Sequence, residues 1–153
     1  MSNGWRSEIA KLDDLVLLSS RLLLAGLFVH EGVTLATNFD AAAASMAKSG
    51  VPAPLLALTT ALQLCAGAAI AVGWRARLSA LALALFCVAT ATLFHTLFGT
   101  HNELLHFEKD LAIAGGMFEL MVHGAGRWSL DGLLARRSAA PFVAAEARRA
   151  EAR

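Results

Sequence analysis

Long apolar stretches separated by short clusters of charged residues run through the whole sequence. The apolar stretches cover residues 15–36, 54–73, 78–98 and 111–124. The charged clusters fall at residues 6–14, 75–77, 103–110 and from 127 onward. A soluble bundle needs a polar stripe along each helix, whereas a helix that crosses a bilayer needs ~20 apolar residues. The pattern therefore predicts an all-α integral membrane protein, a four-helix bundle. Its fourth span is the shortest, and it either begins earlier, near Glu108, or lies tilted.

The composition agrees with this interpretation and suggests the domain organisation. Hydrophobic residues make up 57% of the 153 residues and charged residues only 16%, against about a quarter charged in a soluble domain. We expect one four-span membrane domain at residues 15–132, between an N-terminal segment at residues 1–14 and a C-terminal tail at residues 133–153. No small-residue cleavage site follows the first apolar run, which predicts a retained anchor. The net charge of +1 gives no electrostatic case for nucleic-acid binding.

The basic residues are unevenly divided between the two sides of the predicted bundle. Of the 13 lysines and arginines, ten precede span one, lie between spans two and three, or follow span four. Lys48 and Lys109 lie on the other side, and Arg21 lies within span one. Because basic residues favour the cytoplasmic side, we predict a multi-pass protein of the bacterial inner (plasma) membrane with both termini in the cytoplasm.

The remaining segments carry weaker signals. The connection at residues 37–51 predicts a short interfacial helix that ends at Gly50. The tail at residues 139–153 suits either a helix on the membrane surface or a disordered segment. Cys65 and Cys87 lie in apolar stretches without metal-ligand spacing, so we interpret them as small buried hydrophobic residues.

Polar residues inside the spans form a layer near the cytoplasmic end. Counted at 1.5 Å per residue, Arg21 and Glu119 lie roughly 10 and 8 Å from that end. Opposite charges at one depth predict an Arg21–Glu119 pair. Gln63 would complete this buried network, and His123 shares the helix face of Glu119, four residues away. Two interpretations stay open: an ion pair that fixes helix packing, or a polar pocket for a quinone headgroup or a proton path.

A second set of ionisable residues gathers near the outer surface. It comprises His30, Glu31, His95, His106, Glu108, Lys109 and Asp110. Histidine and carboxylate together can bind metal ions or relay protons. Because no two of these residues show tight ligand spacing, we predict no metal site. A hydrogen-bonded polar cap with an opening toward a ligand is favoured over haem held by His30 and His95, and His101, Glu103 and His106 are expected in the loop before span four.

The sequence resembles the DoxX family over residues 15–132. The residues that carry the resemblance are Arg21-Leu22, Gly26, Phe28 and Gly32 in span one, Phe39 and Gly50-Val51-Pro52-Ala53-Pro54 in the connection, Gln63, Gly67 and Gly73 in span two, then Arg77 and His95. The strongest section comprises Phe107-Glu108-Lys109-Asp110-Leu111, Gly115-Gly116 and Gly124-Ala125-Gly126-Arg127-Trp128-Ser129-Leu130-Asp131. The family usually has glutamate in place of Gln63 and often lysine in place of Thr34, which alters the buried charge balance.

The resemblance implies a membrane subunit associated with redox chemistry, as in the small subunit of thiosulfate:quinone oxidoreductase. One hypothesis is an accessory subunit of a quinone-linked oxidoreductase that anchors a partner and shapes a quinone site with Arg21, Gln63, His95 and Glu119. The others are a non-enzymatic membrane scaffold or assembly protein, and a small metal-handling or transport protein. The sequence contains no P-loop, Rossmann glycine pattern or nucleophile elbow, so it does not predict a stand-alone enzyme. The expected partners are the lipid bilayer and either another protein or a second copy of the chain.

Overall fold

The computed structural model of the protein describes residues 4–48, 50–94 and 101–138, which form helices and short turns without a strand. The helices are α1 (Gly4–Thr37), α2 (Phe39–Ala47), α3 (Ala53–Val72), α4 (Ala76–Phe94) and α5 (His101–His123). A further helix, α6, begins at residue 130 and is described as far as residue 138. The predicted all-α class is confirmed.

Each of the four long helices overlaps one of the four predicted apolar stretches, with different bounds, and residues 95–98 of the third stretch lie outside the described residues. Among the described residues, α3 and α4 are long and apolar enough to cross a membrane, with mean hydropathies of 2.0 and 1.8. By contrast, α1 and α5 extend through charged residues, back to Gly4 and His101. The prediction that His101, Glu103 and His106 lie in a loop is wrong, because a helix satisfies its own backbone groups and continues through polar residues where the apolar pattern stops.

The connection between α1 and α3 contains the predicted short helix, α2. This helix ends at Ala47 rather than at Gly50, and Gly50 itself has a φ of 77°, outside the helical region. Pro52 then caps the start of α3, and Pro54 occupies its first turn, where the missing N–H costs nothing. At the other end of α3, Gly73 adopts a φ of 71° and stops the helix.

Helix α3 lies between α1 and α4, and α4 packs along most of α5. The largest fully buried side chains are Leu56, Ile70, Leu83 and Met117. Glycines allow the close approach of α1 and α3: a Cβ on Gly32 would lie 2.8 Å from Leu64 Cγ, and one on Gly67 would lie 3.0 Å from Val29 Cγ2. Small residues at such positions are typical of tightly packed membrane helices. In contrast, α1 and α5 make few direct contacts, which leaves a gap between them.

Candidate functional site

Arg21 on α1 is buried, with 2% of its surface exposed, and it binds backbone rather than a carboxylate. Its Nη1 donates to the carbonyl of Ala125 at 2.6 Å, and its Nη2 donates to the carbonyl of Trp128 at 2.9 Å. Its Nε is buried without a hydrogen-bond partner among the described residues. Arg21 therefore fastens α1 to the segment that follows α5.

The predicted Arg21–Glu119 pair is not formed. Glu119 carries a side chain that is 76% exposed, and its carboxylate lies 3.1 Å from His123 Nδ1 on the same helix. Matching the residues by depth ignored rotation about the helix axis: α5 buries Ala114, Met117 and Leu120, and Glu119 lies off that face. The predicted buried network of Arg21, Gln63, Glu119 and His123 is therefore not assembled.

The segment at residues 124–131 folds into a turn that bonds to α1, to the end of α3 and to the start of α4. Gly124 and Gly126 adopt φ values of 77° and 75°, which only glycine accepts readily. Ser129 Oγ donates to the carbonyl of Gly126 at 2.6 Å. The backbone N–H of Asp131 donates to the carbonyl of Gly73 at 2.9 Å, which joins the turn to the end of α3.

Asp131 also caps the start of α4. Its Oδ1 accepts from the backbone N–H of Arg75 at 2.8 Å, and its Oδ2 accepts from that of Ala76 at 2.9 Å. These bonds satisfy N–H groups that a helix start leaves unpaired and place a negative charge at the positive end of the helix dipole.

An ion pair between a buried carboxylate and an exposed arginine completes this junction. Asp14 on α1 is only 5% exposed, and its Oδ2 lies 2.8 Å from Arg127 Nη2 and 2.9 Å from Arg127 Nε. Asp14 was not predicted as a site residue, although its position just before the first apolar stretch was a usable signal. Apart from Arg21 Nε, the side-chain groups described here bond within the junction, and neither cavity described below is lined by them, so we assign these residues to the fold.

The gap between α1 and α5 forms a polar cavity of about 320 Å³. It is lined by Leu27, Phe28, Glu31, Gln63, Phe86, Cys87, Thr90, His106, Lys109, Asp110 and Ile113. Thr90 Oγ1 lies 3.0 Å from Asp110 Oδ2, and Lys109 Nζ lies 3.4 Å from His106 Nδ1. The cavity thus brings carboxylate, ammonium and imidazole groups together beside apolar walls.

An apolar cavity of about 450 Å³ adjoins the polar one. It is lined by Leu35, Met46, Val51, Leu55, Thr59, Gln63, Phe86, Ala89, Thr90 and Leu93. Gln63, Phe86 and Thr90 line both cavities. Both volumes lie in the range of small-molecule sites, roughly 300–1,000 Å³.

Gln63 is the buried polar residue that the protein leaves incompletely paired at this place. It is 6% exposed, and its Oε1 has no hydrogen-bond partner within the described ranges. A buried polar atom without a partner costs about 1–3 kcal/mol, so this amide favours a ligand or a water that can bond to it.

The predicted outer layer is only partly assembled. Glu31, His106, Lys109 and Asp110 line the polar cavity together, whereas His30 and Glu108 are exposed and lie outside both linings. His95 lies outside the described residues. Within the described ranges, no group of three or more histidine, cysteine or acidic residues could hold a metal ion.

Sequence reasoning missed three lining residues on α4. Phe86, Cys87 and Thr90 face the polar cavity, and a hydroxyl inside an apolar span was the available signal for Thr90. Cys87 is buried, in agreement with its interpretation as a small hydrophobic residue, whereas Cys65 is exposed.

Comparison with known proteins identifies the family. The sequence model of the DoxX family matches residues 16–96. The chain belongs to the DoxX family. The matched region includes the positions of Arg21 and Gln63. As a member of this family, the chain is a helical membrane protein.

Two Escherichia coli (strain K12) proteins are similar over most of their lengths. The inner membrane protein YqjF is 36% identical over 127 residues, which cover 83% of this chain and 98% of YqjF. The inner membrane protein YphA is 27% identical over 123 residues, 76% of this chain and 88% of YphA. No solved structure matches the chain.

Proposed function

We propose that this DoxX protein is a four-span inner-membrane subunit that binds a quinone headgroup in the polar cavity and serves a quinone-linked oxidoreductase. The observation that carries the proposal is Gln63, a buried amide with an unpartnered Oε1 at the meeting point of a polar and an apolar cavity. A ligand with a polar ring and an apolar chain matches both linings.

The four-span arrangement is supported by the contents of α1 and α5. Each contains one predicted apolar stretch, and the charges of Asp14 and Arg21 on α1 are bonded inside the protein, which lowers their cost in a membrane. The relatives YqjF and YphA are named as inner membrane proteins. We extend that location to this chain, with both termini in the cytoplasm.

The cavity residues fit the chemistry of a quinone ring. A bound quinone would accept two electrons, from the redox cofactor of a partner subunit, together with two protons, and would become a quinol. Lys109 can donate to a quinone carbonyl, whereas Asp110, Glu31 and Gln63 Oε1 can accept from a quinol hydroxyl. His106 and the carboxylates can hold protons for transfer. The chain's own role is to orient the ring and to supply or remove protons.

Binding of a quinone and of its reduced quinol by purified protein in lipid nanodiscs tests this proposal. In Gln63→Leu the affinity for the reduced quinol should fall roughly tenfold, because a quinol hydroxyl can donate to Gln63 Oε1 and such a hydrogen bond is worth about 1.5 kcal/mol. The thermal stability should stay level or rise, because an unpaired buried amide is removed. Asp110→Asn should weaken binding as well, whereas the exposed Glu108→Gln should not. Absence of bound quinone in the wild-type protein, or unchanged affinity in both cavity variants, would refute the proposal.

The exposed Glu119–His123 pair favours a scaffold as the second candidate. A carboxylate on the outer surface of a membrane helix is costly against lipid, so this face of α5 suits contact with another protein. Co-purification of a partner that is lost in Glu119→Ala, from a wild-type protein that binds no quinone, would favour the scaffold.

A further inference from the structure

We infer that the ligand occupies both cavities, with its ring in the polar cavity and a long isoprenoid chain threaded past Gln63, Phe86 and Thr90 into the apolar cavity. This inference rests on the proposed quinone site and adds the chemical class and the path of the chain. It predicts a site that is selective for tailed quinones.

The first argument is the contrast between the two linings. Seven of the ten residues around the apolar cavity have hydrocarbon or thioether side chains, the others being Thr59, Gln63 and Thr90. The Thr59 hydroxyl donates to the carbonyl of Leu56 at 2.9 Å, and that of Thr90 bonds carbonyls of its own helix and Asp110. Because both hydroxyl protons are engaged, the wall offers a polar group only at Gln63, where it meets the polar cavity, and the rest of it suits a hydrocarbon chain.

The second argument is continuity. Gln63, Phe86 and Thr90 line both cavities, so a group held beside Asp110 has the apolar cavity as its neighbour. A compact polar molecule would use the polar cavity alone. A ring with a covalently attached chain fills both and keeps each part among groups of its own polarity.

The third argument is the position of the apolar cavity at the surface. Met46 on α2, Leu55 on α3 and Leu93 on α4 line it and are also exposed. In a four-span bundle these side chains face the hydrocarbon of the bilayer. The chain can therefore reach the cavity from the membrane, and the ring need not cross water.

Steric blocking of the apolar cavity tests the path. Moving the tail from lipid into the apolar cavity changes its surroundings little, because lipid chains are as apolar as the cavity wall. A bulky side chain that blocks the cavity is therefore a sharper probe than a substitution that alters the polarity of the wall. Ala89 lines the apolar cavity but not the polar one. Ala89→Trp should weaken binding of a quinone with a long isoprenoid tail by about tenfold or more, as overpacking of a filled site does. Binding of the same ring without its tail should stay within about twofold.

The matched control is Ala68→Trp, which adds the same bulk at an exposed position on α3 outside both cavities. A second measurement needs no variant: a long-tailed quinone with a photoreactive group near the end of its chain is crosslinked to the wild-type protein. Peptide mass spectrometry should then place the crosslinks on Leu35, Met46 or Leu55.

The outcomes separate this inference from the proposed function. Selective loss of the tailed quinone in Ala89→Trp, with crosslinks on the apolar lining, supports the threaded chain. If the wild-type protein binds both quinones and Ala89→Trp affects them equally or not at all, the path is overturned and the quinone site stands. Crosslinks confined to residues outside the apolar lining overturn it too. If the wild-type protein binds neither quinone, the proposed function and this inference both fail.

Discussion

At the residue scale, Arg21 and Gln63 illustrate two fates of a buried polar side chain. Arg21 gives its two terminal nitrogens to carbonyls of the segment after α5, so its charge is used in joining helices. Gln63 leaves Oε1 unpaired among the described residues and lines two cavities. A buried polar group is stable only when it is bonded. Arg21 Nε is also unpaired among the described residues, but Arg21 lines neither cavity and Gln63 lines both, so Gln63 is the better candidate for binding.

Gly73 is the described glycine at which replacement by alanine should reduce the stability of the protein most. It adopts a φ of 71°, and a Cβ there would lie 2.4 Å from Ser129 Cβ and 2.9 Å from Arg21 Nη1. We expect Gly73→Ala to destabilise the protein by roughly 1–2 kcal/mol through the left-handed backbone alone, and further through the clash. Thermal unfolding in detergent should show a lower midpoint, by on the order of 5 °C.

Gly26→Ala is the matched control on α1. A Cβ at Gly26 would have no neighbour within 4 Å in the described part of the chain, and alanine is preferred over glycine inside a helix by roughly 0.5–1 kcal/mol. This variant should unfold at the wild-type temperature or above it. Equal effects of the two substitutions would contradict the packing of Arg21 and Ser129 around Gly73.

At the element scale, the start of α4 depends on a residue from the far end of the chain. Asp131 accepts hydrogen bonds from the N–H groups of Arg75 and Ala76, and Arg75 has a positive φ of 45°, which is unfavourable for a residue with a Cβ. The carboxylate therefore stabilises both the helix start and the strained turn before it.

Removal of that cap should be measurable. Asp131→Ala should lower the free energy of unfolding by about 0.5–2 kcal/mol, the usual range for a lost N-cap. Asp131→Asn should cost less, since its amide oxygen can still accept one of the two bonds. Thermal unfolding checks both, with the exposed Asp13→Ala as the control for loss of a carboxylate. An Asp131→Ala protein as stable as the control would mean that the cap does not hold α4.

The helices themselves were largely predictable, and the contacts between them were not. Apolar runs located α3 and α4, because a bilayer-length helix has a compositional signature, and prolines marked the start of α3. The beginning of α5 was missed, since its first turns are polar. The distances of Arg21 and Glu119 from the cytoplasmic end, counted along their spans, suggested that the two residues pair. The partners of Arg21 are instead backbone carbonyls, which have no sequence signature. Similarly, the polar cavity depends on the gap between α1 and α5, which no local pattern records.

At the scale of the whole molecule, the two ends of the bundle differ in their content of basic and tryptophan residues. The end that holds the α3–α4 turn and α6 carries Arg75, Arg77, Arg127, Arg136 and Arg137, together with the exposed Trp74 and Trp128. The opposite end holds α2, with Asp40 as its acidic residue in the first turn. Since basic residues favour the cytoplasmic side and tryptophan favours the interface, this asymmetry predicts that α6 is cytoplasmic and α2 periplasmic.

Thiol accessibility in whole cells tests this orientation. Cys65 and Cys87 are first replaced by alanine, and a single cysteine is then placed at an exposed position by Asp40→Cys on α2 or Ser138→Cys on α6. A membrane-impermeant maleimide should label the α2 cysteine in intact cells and the α6 cysteine only after the inner membrane is opened, because basic loops are retained in the cytoplasm. Labelling of both cysteines in intact cells would mean an even number of spans between them, instead of the three proposed here. Labelling of the α6 cysteine alone would place both termini outside, and the uneven distribution of arginines would then need a cause other than membrane insertion.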